Sequence, residues 1–590
     1  MSEYRAPLDD MRFALYRVAG LVEVAALPGC AEATPDLVDA ILEEAGKFGR
    51  DVLAPLNTVG DREGCTFENG VVRAPAGFRE AYRQFSEAGW NGIWAPEEWG
   101  GQGLPLTLAA AVSEVWHAAN MGFALCPLLT QSAIEVLLTH GSDDLKAQYL
   151  EKLVTGEWTG TMNLTEPQAG SDLARIRCKA DRAADGGYRL RGQKIFISHG
   201  EHDMADNIVH LVLARSPDGP PGIKGLSLFL VPKFLPDGEG RPGKRNDLRC
   251  VSIEHKMGLH ASPTAVMSYG DNEGAEAFLI GEENRGIEYM FIMMNAARLA
   301  VGMEAVGVAE RAYQRARDYA RDRVQSRPVD GGGEPVSIIH HPDVKRMLLA
   351  MRSQTAAIRA IAYRVAAALD ASKRHPDTTE RARAQAFVDL MTPVAKAFAT
   401  DVAAEVADIG IQVHGGMGFI EETGAAQHFR DVRVTRIYEG TNGIQANDLV
   451  GRKVARDEGR AAADLIAAMR ADLPLLAEAP GGLPSTALAL DRGISALERA
   501  THWIVETFPA DPAAAAAGAV HYLRLMGIVT GAWLLARGAD AAARAGAPDG
   551  AGRVLDARFF AEQFLPQAEA LRETLMAGGR TVAGAAEAHF

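Results

Sequence analysis

The stretch NIVHLVLARSPDGPPGIKGLSLFLVP, residues 207–232, holds two short apolar, β-branched runs separated by a cluster of Gly, Pro and Asp. Runs of that length between turn-forming residues predict strands. A second separator, PDGEGRPGKRND at 236–247, follows at once. A small all-β domain is therefore expected from about residue 159 to residue 280. On the N-terminal side the period is helical. LVDAILEEAGKFGRDVLAPLN (37–57) puts Leu37, Ile41, Ala45, Phe48 and Val52 on one stripe. The turn-rich APEEWGGQGLP (95–105) interrupts the helices, and a further helix is expected from Leu106 through QSAIEVLLTHG (131–141). Helical periodicity returns at about Gly286 and persists to about Ala455, apart from a loop at RPVDGGGEPVS (327–337). The Ala-rich tail, broken at APGGLPS, FPADPA and GAPDG, predicts three or four more helices.

With 590 residues the chain exceeds one ordinary hydrophobic core. Its 61 basic and 76 acidic residues give a net charge of -15, which disfavours nucleic acid and anionic membranes as partners. The five cysteines form no CxxC pair, so ordinary thiols in a reducing compartment are expected and no metal site. The N-terminus has no signal-peptide or transit character, and no stretch approaches the uninterrupted apolar length that spans a bilayer. The expected location is the cytoplasm, with no integral membrane contact.

The strongest chemical signal is RIYEGTNGIQ (436–445). A Glu beside a Tyr and a Gly-Thr-Asn-Gly turn, just before a helix-compatible stretch, can present one carboxylate at a helix end while backbone N–H groups face a ligand. A surface Glu before an N-cap fits the same residues. TMNLTEPQAGSDL (161–173) brings hydroxyls and a Gly suited to a flat heteroaromatic ring and a phosphate. KIFISHG (194–200) spaces an aromatic ring and a hydroxyl two residues apart, on one face of a regular strand. IQVHGGMGFIEE (411–422) allows close backbone approach through Gly415, Gly416 and Gly418. ARDYARDRVQSRP (316–328) offers Arg323 for a pyrophosphate. Each has a bland alternative: capping, core packing, a tight turn or a solvated face.

In order and spacing these segments resemble the acyl-CoA dehydrogenase family, over roughly residues 33–455. The resemblance implies an α+β multidomain fold: an N-terminal helical domain (1–158), a central β-barrel domain (159–280) and a C-terminal four-helix bundle (281–455). An additional helical domain (456–590) would follow. It implies FAD as cofactor, an acyl-CoA thioester as substrate and Glu439 as the base that takes the α-proton, while the β-hydrogen leaves as hydride to flavin N5. The product would be a trans-2-enoyl-CoA, and an electron-transfer flavoprotein would collect the electrons. Met162, Leu164, Thr165 and Ser171 match the flavin-contacting segment, Ser171 near the pyrophosphate or CoA. Phe196 and Ser198 match the aromatic and hydroxyl groups against the ring. Arg323, Gln325 and residues Gln412, Val413, His414, Gly415 and Gly416 match groups reaching the FAD of a neighbouring subunit, so at least a homodimer is implied. Thr441 and Gly443 close the cofactor site. Asn295, Arg298, Tyr438 and Gly440, whose N–H follows the base, match the thioester side.

Met162, Phe196 and Gly443 depart from the Tyr, Trp and Gln of many members. Some branches carry their base at the position of Ala297, which accepts no proton, and Glu304 is the nearest rival carboxylate. The tail and the start YRAPLDDMRF resemble a long bacterial branch that includes 3-methylmercaptopropionyl-CoA dehydrogenase, implying that thioester or a short- to medium-chain one as substrate. Two alternatives share the scaffold. One is an acyl-CoA oxidase. The other is a DNA-associated flavoprotein of the alkylation-response type, which needs a basic tail. From Arg456 onward there are 12 arginines, no lysines and 16 acidic residues, the wrong sign for DNA.

Overall fold

The computed structural model describes residues 4–184 and 186–590. It divides into two compact units. One comprises Lys47–Leu104 and Ala119–Ala300; the other comprises the chain up to Gly46, Pro105–Ala118 and Val301–Phe590.

The first unit is built on a sheet. A hairpin of β1 (Thr66–Glu68) and β2 (Val71–Arg73) precedes it. Asn69 and Gly70 at its tip both have positive φ, the turn that matches the twist of paired strands. The helical expectation for this region passed over it, because three-residue strands show too little alternation. The remaining strands are β3 (Trp158–Asn163), β4 (Lys179–Arg182), β5 (Tyr188–Ser198), β6 (Asn207–Arg215), β7 (Leu226–Pro232), β8 (Phe234–Pro236), β9 (Pro242–Arg245), β10 (Leu248–Ile253), β11 (Thr264–Tyr269) and β12 (Ala275–Ile280). Eight of them form one sheet in the order β10-β11-β5-β12-β7-β6-β3, with β4 against β5 and β6; β8 and β9 pair separately.

The two runs quoted first are β6 and β7, paired antiparallel from Val209↔Pro232 to Arg215↔Leu226. Nearly every residue in both is buried, on either face. That is why they read as continuous apolar runs and not as alternating ones. One face of the sheet meets helical residues 121–140. A Cβ on Gly160 of β3 would stand 2.7 Å from Ala133, and the Gly160 N–H donates to Thr130 Oγ1 at 3.0 Å.

The run expected as one helix from Leu106 is α1 (Leu106–His140), but Asn120 interrupts it with φ -160° and ψ 91°. Its side chain caps the restart by accepting from the Phe123 N–H. The stripe expected on residues 37–52 is also corrected. Ala45 is buried as expected, but Leu37 is exposed, and Val38, Leu42 and Leu53 are buried in place of Leu37, Ile41 and Val52. Apolar residues sit side by side at 37/38 and 41/42, so spacing alone fits both stripes and packing selects one.

The second unit is helical. It contains the C-terminal part of α2 (Gly286–Asp322), then α3 (Pro342–Arg374), α4 (Thr378–His414) and the short α5 (Asn442–Asp448). The tail holds six helices among the described residues, not three or four. They are α6 (Arg460–Ala477), α7 (Leu483–Thr507), α8 (Pro512–Ala517), α9 (Ala519–Arg544), α10 (Gly550–Gln563) and α11 (Gln567–Ala583). The three expected breaks hold, and further breaks at Gly518 and beside Pro566 add helices.

Small residues on α9 let it approach the bundle. A Cβ on Gly527 would collide with the Phe398 ring of α4, and one on Gly531 would stand 3.1 Å from Ala357 of α3. Arg524–Glu405 (2.6 Å) and Arg352–Asp556 (3.0 Å) join the tail to the bundle by ion pairs. Gly527→Val is expected to lower stability by about 1–3 kcal/mol through overpacking, read as a fall in the thermal unfolding midpoint.

One expectation about membranes is overturned. Leu106–His140, Gly286–Asp322 and Ala519–Arg544 are long and apolar enough to cross a bilayer by length and composition. Alanine and glycine spread their apolar character thinly, so no single run stands out in the sequence. In the folded chain 83%, 61% and 83% of those apolar windows are buried within the protein.

Candidate active site

In the helical unit, the segment 436–445 is held against α4 from several points. Arg436 pairs with Asp401 at 2.6 Å. The buried Lys396 donates to the Gly440 carbonyl at 3.0 Å and to Asn442 Oδ1 at 2.9 Å. Asn442 Nδ2 in turn donates to the Ala397 carbonyl, to Thr400 Oγ1 and to Asp401 Oδ1. Thr441 caps α5 by accepting from the Ile444 N–H at 3.3 Å.

Inside this clamp Glu439 has φ 54° and Gly440 φ 84°. A left-handed glutamate is costly for its backbone, by an amount on the order of 1–3 kcal/mol, and persists only where its surroundings over-determine it. The clamp supplies that determination. Glu439 is half-buried, Tyr438 beside it is half-buried, and the Tyr438 hydroxyl donates to Glu304 Oε2 on α2. Glu304 itself is fully buried, and its Oε1 has no hydrogen-bond partner among the described residues. Burial pushes the Glu304 carboxyl up to about 8, with the Glu439 charge adding to it and the Tyr438 donor and Lys396 opposing.

The other residues expected at the cofactor in this unit fall into two groups. Arg323 and Gln325 are exposed, on a turn whose backbone pairs with residues 336–338. Gln412, Gly415 and Gly416 are exposed as well. Val413 and His414 are buried; His414 stacks on Tyr319 with centroids 4.4 Å apart and shares its Nδ1 with the Gly410 carbonyl. Their side chains are turned into the bundle.

Gly415, with φ 60°, and Gly416 have nothing within 4 Å of where a Cβ would stand, and Gly443 has only Thr441 Oγ1 at 3.9 Å. Gly415 and Gly416, facing open space beside exposed Met417 and Phe419, the latter 86% exposed, leave room for a flat ligand to lie against backbone.

In the sheet unit, β3 runs into the segment 161–173. Thr161 Oγ1 donates to the Ser198 carbonyl at 2.7 Å, and the Ile195 N–H donates to the Thr165 carbonyl at 2.9 Å. The hydroxyl-rich segment therefore lies along the end of β5. A buried ion pair fixes it: Lys194 Nζ stands 2.9 Å from Glu166 Oε1, with side chains 0% and 3% exposed. Glu166 also accepts from the Arg177 and Cys178 N–H groups. Burial raises the Glu166 carboxyl, but Lys194 and the two N–H donors outweigh it, so the group lies below its usual range. Such a lowered carboxylate contributes stability above the usual carboxylate range, lost as pH falls through its folded value. Nothing in the sequence marked this pair, because its partners are 28 residues apart.

Phe196 is 60% exposed and has φ 59°. It lies in a bulge, since pairing passes from Ala265↔Ile197 to Met267↔Lys194. The bulge breaks the alternation between Lys194 and Ile197, both buried, while Phe196 and Ser198 lie on either side of the buried Ile197 and are both accessible. Met162 and Thr165 are half-buried, Leu164 is buried and Ser171 is exposed. Arg298 is buried and donates to Asn295 Oδ1 at 3.0 Å. The same unit gathers ligating atoms of Cys126, His199 and His202 within 4.8 Å. His202 already pairs with Thr159 and the Met204 N–H, and His199 with Ser262.

Models of the N-terminal, middle and C-terminal domains of acyl-CoA dehydrogenase match residues 36–157, 161–271 and 284–454. The chain is 49% identical over 578 residues to 3-methylmercaptopropionyl-CoA dehydrogenase of Ruegeria pomeroyi, covering 96% of this chain and 97% of the relative. The chain belongs to the acyl-CoA dehydrogenase family. As a member it is an FAD-dependent oxidoreductase. A fourth model, of an acetyl-CoA dehydrogenase C-terminal-like domain, matches residues 462–586, which are the tail helices of this acyl-CoA dehydrogenase. It is 32% identical to a broad-specificity linear acyl-CoA dehydrogenase of Mycobacterium tuberculosis, covering 98% of each chain. The fold is shared with an acyl-CoA dehydrogenase from Bacillus anthracis complexed with FAD, at a TM-score of 0.75 and 21% identity, covering 96% of this chain and 91% of that one.

Proposed function

We propose that this acyl-CoA dehydrogenase removes the α-proton of an acyl-CoA thioester through Glu439 and the β-hydrogen as hydride, giving a trans-2-enoyl-CoA. The observation that carries this reading is the clamped, left-handed Glu439, a single half-buried carboxylate held rigidly on an otherwise costly backbone. A thioester α-proton is too weakly acidic for a free carboxylate, so the site must also stabilise charge developing on the thioester oxygen. The Gly440 N–H, adjacent to the base, is the backbone donor we assign to that oxygen. Gln445 Nε2 holds this peptide from its other side by donating to the Glu439 carbonyl at 3.3 Å, and Lys396 holds the next one through the Gly440 carbonyl.

Bound FAD supplies the two-electron acceptor. Thr165, Phe196 and Ser198, and Thr441 and Gly443, are the residues we assign to the flavin cofactor, and Gln412, Gly415 and Gly416 are assigned with Arg323 and Gln325 to the cofactor of a neighbouring subunit. The exposure of Arg323, Gln325, Met417 and Phe419 supports a role toward a neighbouring subunit's cofactor, and hence at least a homodimer. An electron-transfer flavoprotein is the electron acceptor we infer.

The relative that is 49% identical along nearly the whole chain supports 3-methylmercaptopropionyl-CoA as substrate. A panel of acyl-CoA thioesters assayed with an artificial acceptor dye tests it. The expected result is a highest kcat/KM for 3-methylmercaptopropionyl-CoA, with straight-chain four- to eight-carbon thioesters at least about tenfold lower. A flat profile, or a preference for long chains, would remove that assignment.

A further inference from the structure

Glu304 is a second carboxyl beside the base, and the family reading gives it no task. It sits on α2, where Gly302 brings the helix against α4: a Cβ there would stand 2.6 Å from the Ala395 carbonyl oxygen. That close approach puts Glu304 next to the 436–445 segment. The groups facing it are few. From the segment come the Tyr438 hydroxyl, which donates to Oε2, and the Glu439 charge. From α4 comes Lys396, committed to Gly440 and Asn442. On the α1 side, packed against Gly307, lie His117, which burial holds far below the usual imidazole range, and Glu114, which is bonded to Arg359 and Tyr363. Further along its own helix, Glu310 is paired with Arg359. Lys396 therefore supplies the nearby positive charge, and it is spent on the loop. A fully buried carboxylate in that company has one oxygen without a partner among the described residues and a like charge for a neighbour. The protonated acid avoids both costs.

We propose that Glu304 is a positioning residue that works in its protonated form, orienting Tyr438 beside the base, and that its ionisation shuts the reaction down at alkaline pH. This rests on the reading of Glu439 as the base. The step is a simple proton loss to solvent: the Glu304 carboxyl becomes carboxylate and no other bond changes. The second negative charge then faces the enolate-like charge that develops on the thioester, and the transition state is disfavoured. The alkaline limb of the rate profile, with a midpoint near 8, reports Glu304.

The test uses the FAD-loaded full chain. Native kcat is expected to fall about tenfold per pH unit above the midpoint. In Glu304→Gln, which cannot ionise, the ratio of kcat at pH 9.5 to kcat at pH 7 is expected to rise at least about tenfold over native. Tyr438→Phe removes a donor to the charged form, so its alkaline limb should move to higher pH; this variant serves if Glu304→Gln does not fold. Infrared difference spectra between pH 6.5 and pH 9.5 read the proton itself. A protonated-carboxyl C=O band should vanish with the same midpoint, be absent from Glu304→Gln and persist in Glu439→Gln. An alkaline limb unmoved in both variants, or a band that survives Glu304→Gln, overturns the proposal. A band lost from Glu439→Gln alone places that proton on Glu439 and overturns the proposal, whereas near-native kcat in Glu439→Gln would overturn the assignment of the base.

Discussion

Glu439→Gln is expected to lose about 10²- to 10⁴-fold in kcat while keeping its FAD and its affinity for the thioester, the range that a positioned general base contributes. The amide has the size and shape of the carboxylate but takes up no proton at neutral pH. The backbone demand is unchanged, because glutamine at a φ of 54° is as strained as glutamate. The main-chain clamp is untouched as well: Lys396 holds the Gly440 carbonyl, and Asn442 and Arg436 are held by α4. A fall in kcat with unchanged flavin absorbance per chain therefore isolates the proton transfer. Loss of flavin would point to a cofactor role instead, and near-native kcat would move the base elsewhere.

Arg359→Met is expected to cost about 3–5 kcal/mol of stability, a large share of the roughly 5–15 kcal/mol that holds a typical fold. Arg359 is buried and binds both oxygens of Glu114 through Nε and Nη2 at 2.7–3.0 Å. The same Nη2 reaches Glu310 Oε2 at 2.8 Å. Tyr363 completes Glu114, and Gln314 completes Glu310. Removing the cation leaves two buried carboxylates with hydroxyl and amide donors but no opposite charge between them. Burial already pushes the Glu310 carboxyl up despite Arg359. Without the arginine its folded proton affinity rises further above the unfolded one. The penalty of such a group grows as pH rises through the unfolded carboxylate range and is relieved as pH falls. The variant should accordingly lose least stability near pH 5 and most near pH 8, as read by chemical unfolding. Arg359→Lys keeps the charge but loses the planar fork, and should fall between the two.

Much of this architecture is written in local pattern. The runs that became β6 and β7 announce themselves, and the helix that begins at Gly286 begins where its periodicity begins. What the sequence hides is what packing decides. Val38 and Leu42 face inward in place of Leu37 and Ile41, though both pairs have helical spacing. Lys194 and Ile197 are both buried, against strand alternation, because a single extra residue bulges β5, and a bulge has no compositional mark there. Val413 and His414 lie in a motif whose glycines are exposed, yet their own side chains pack inward. The relation between Glu304 and Tyr438 spans 134 residues, so a linear reading finds two carboxylates competing for one role where the fold gives them adjacent places.

The most direct test of the central claim separates proton removal from oxidation. The FAD-loaded chain is incubated without an electron acceptor in deuterated water with a thioester that carries no removable β-hydrogen. Exchange of its α-hydrogens is then followed by nuclear magnetic resonance. Native protein should exchange them, and Glu439→Gln, binding the same thioester, should do so at least about a hundredfold more slowly. Exchange at the native rate in that variant would contradict the account.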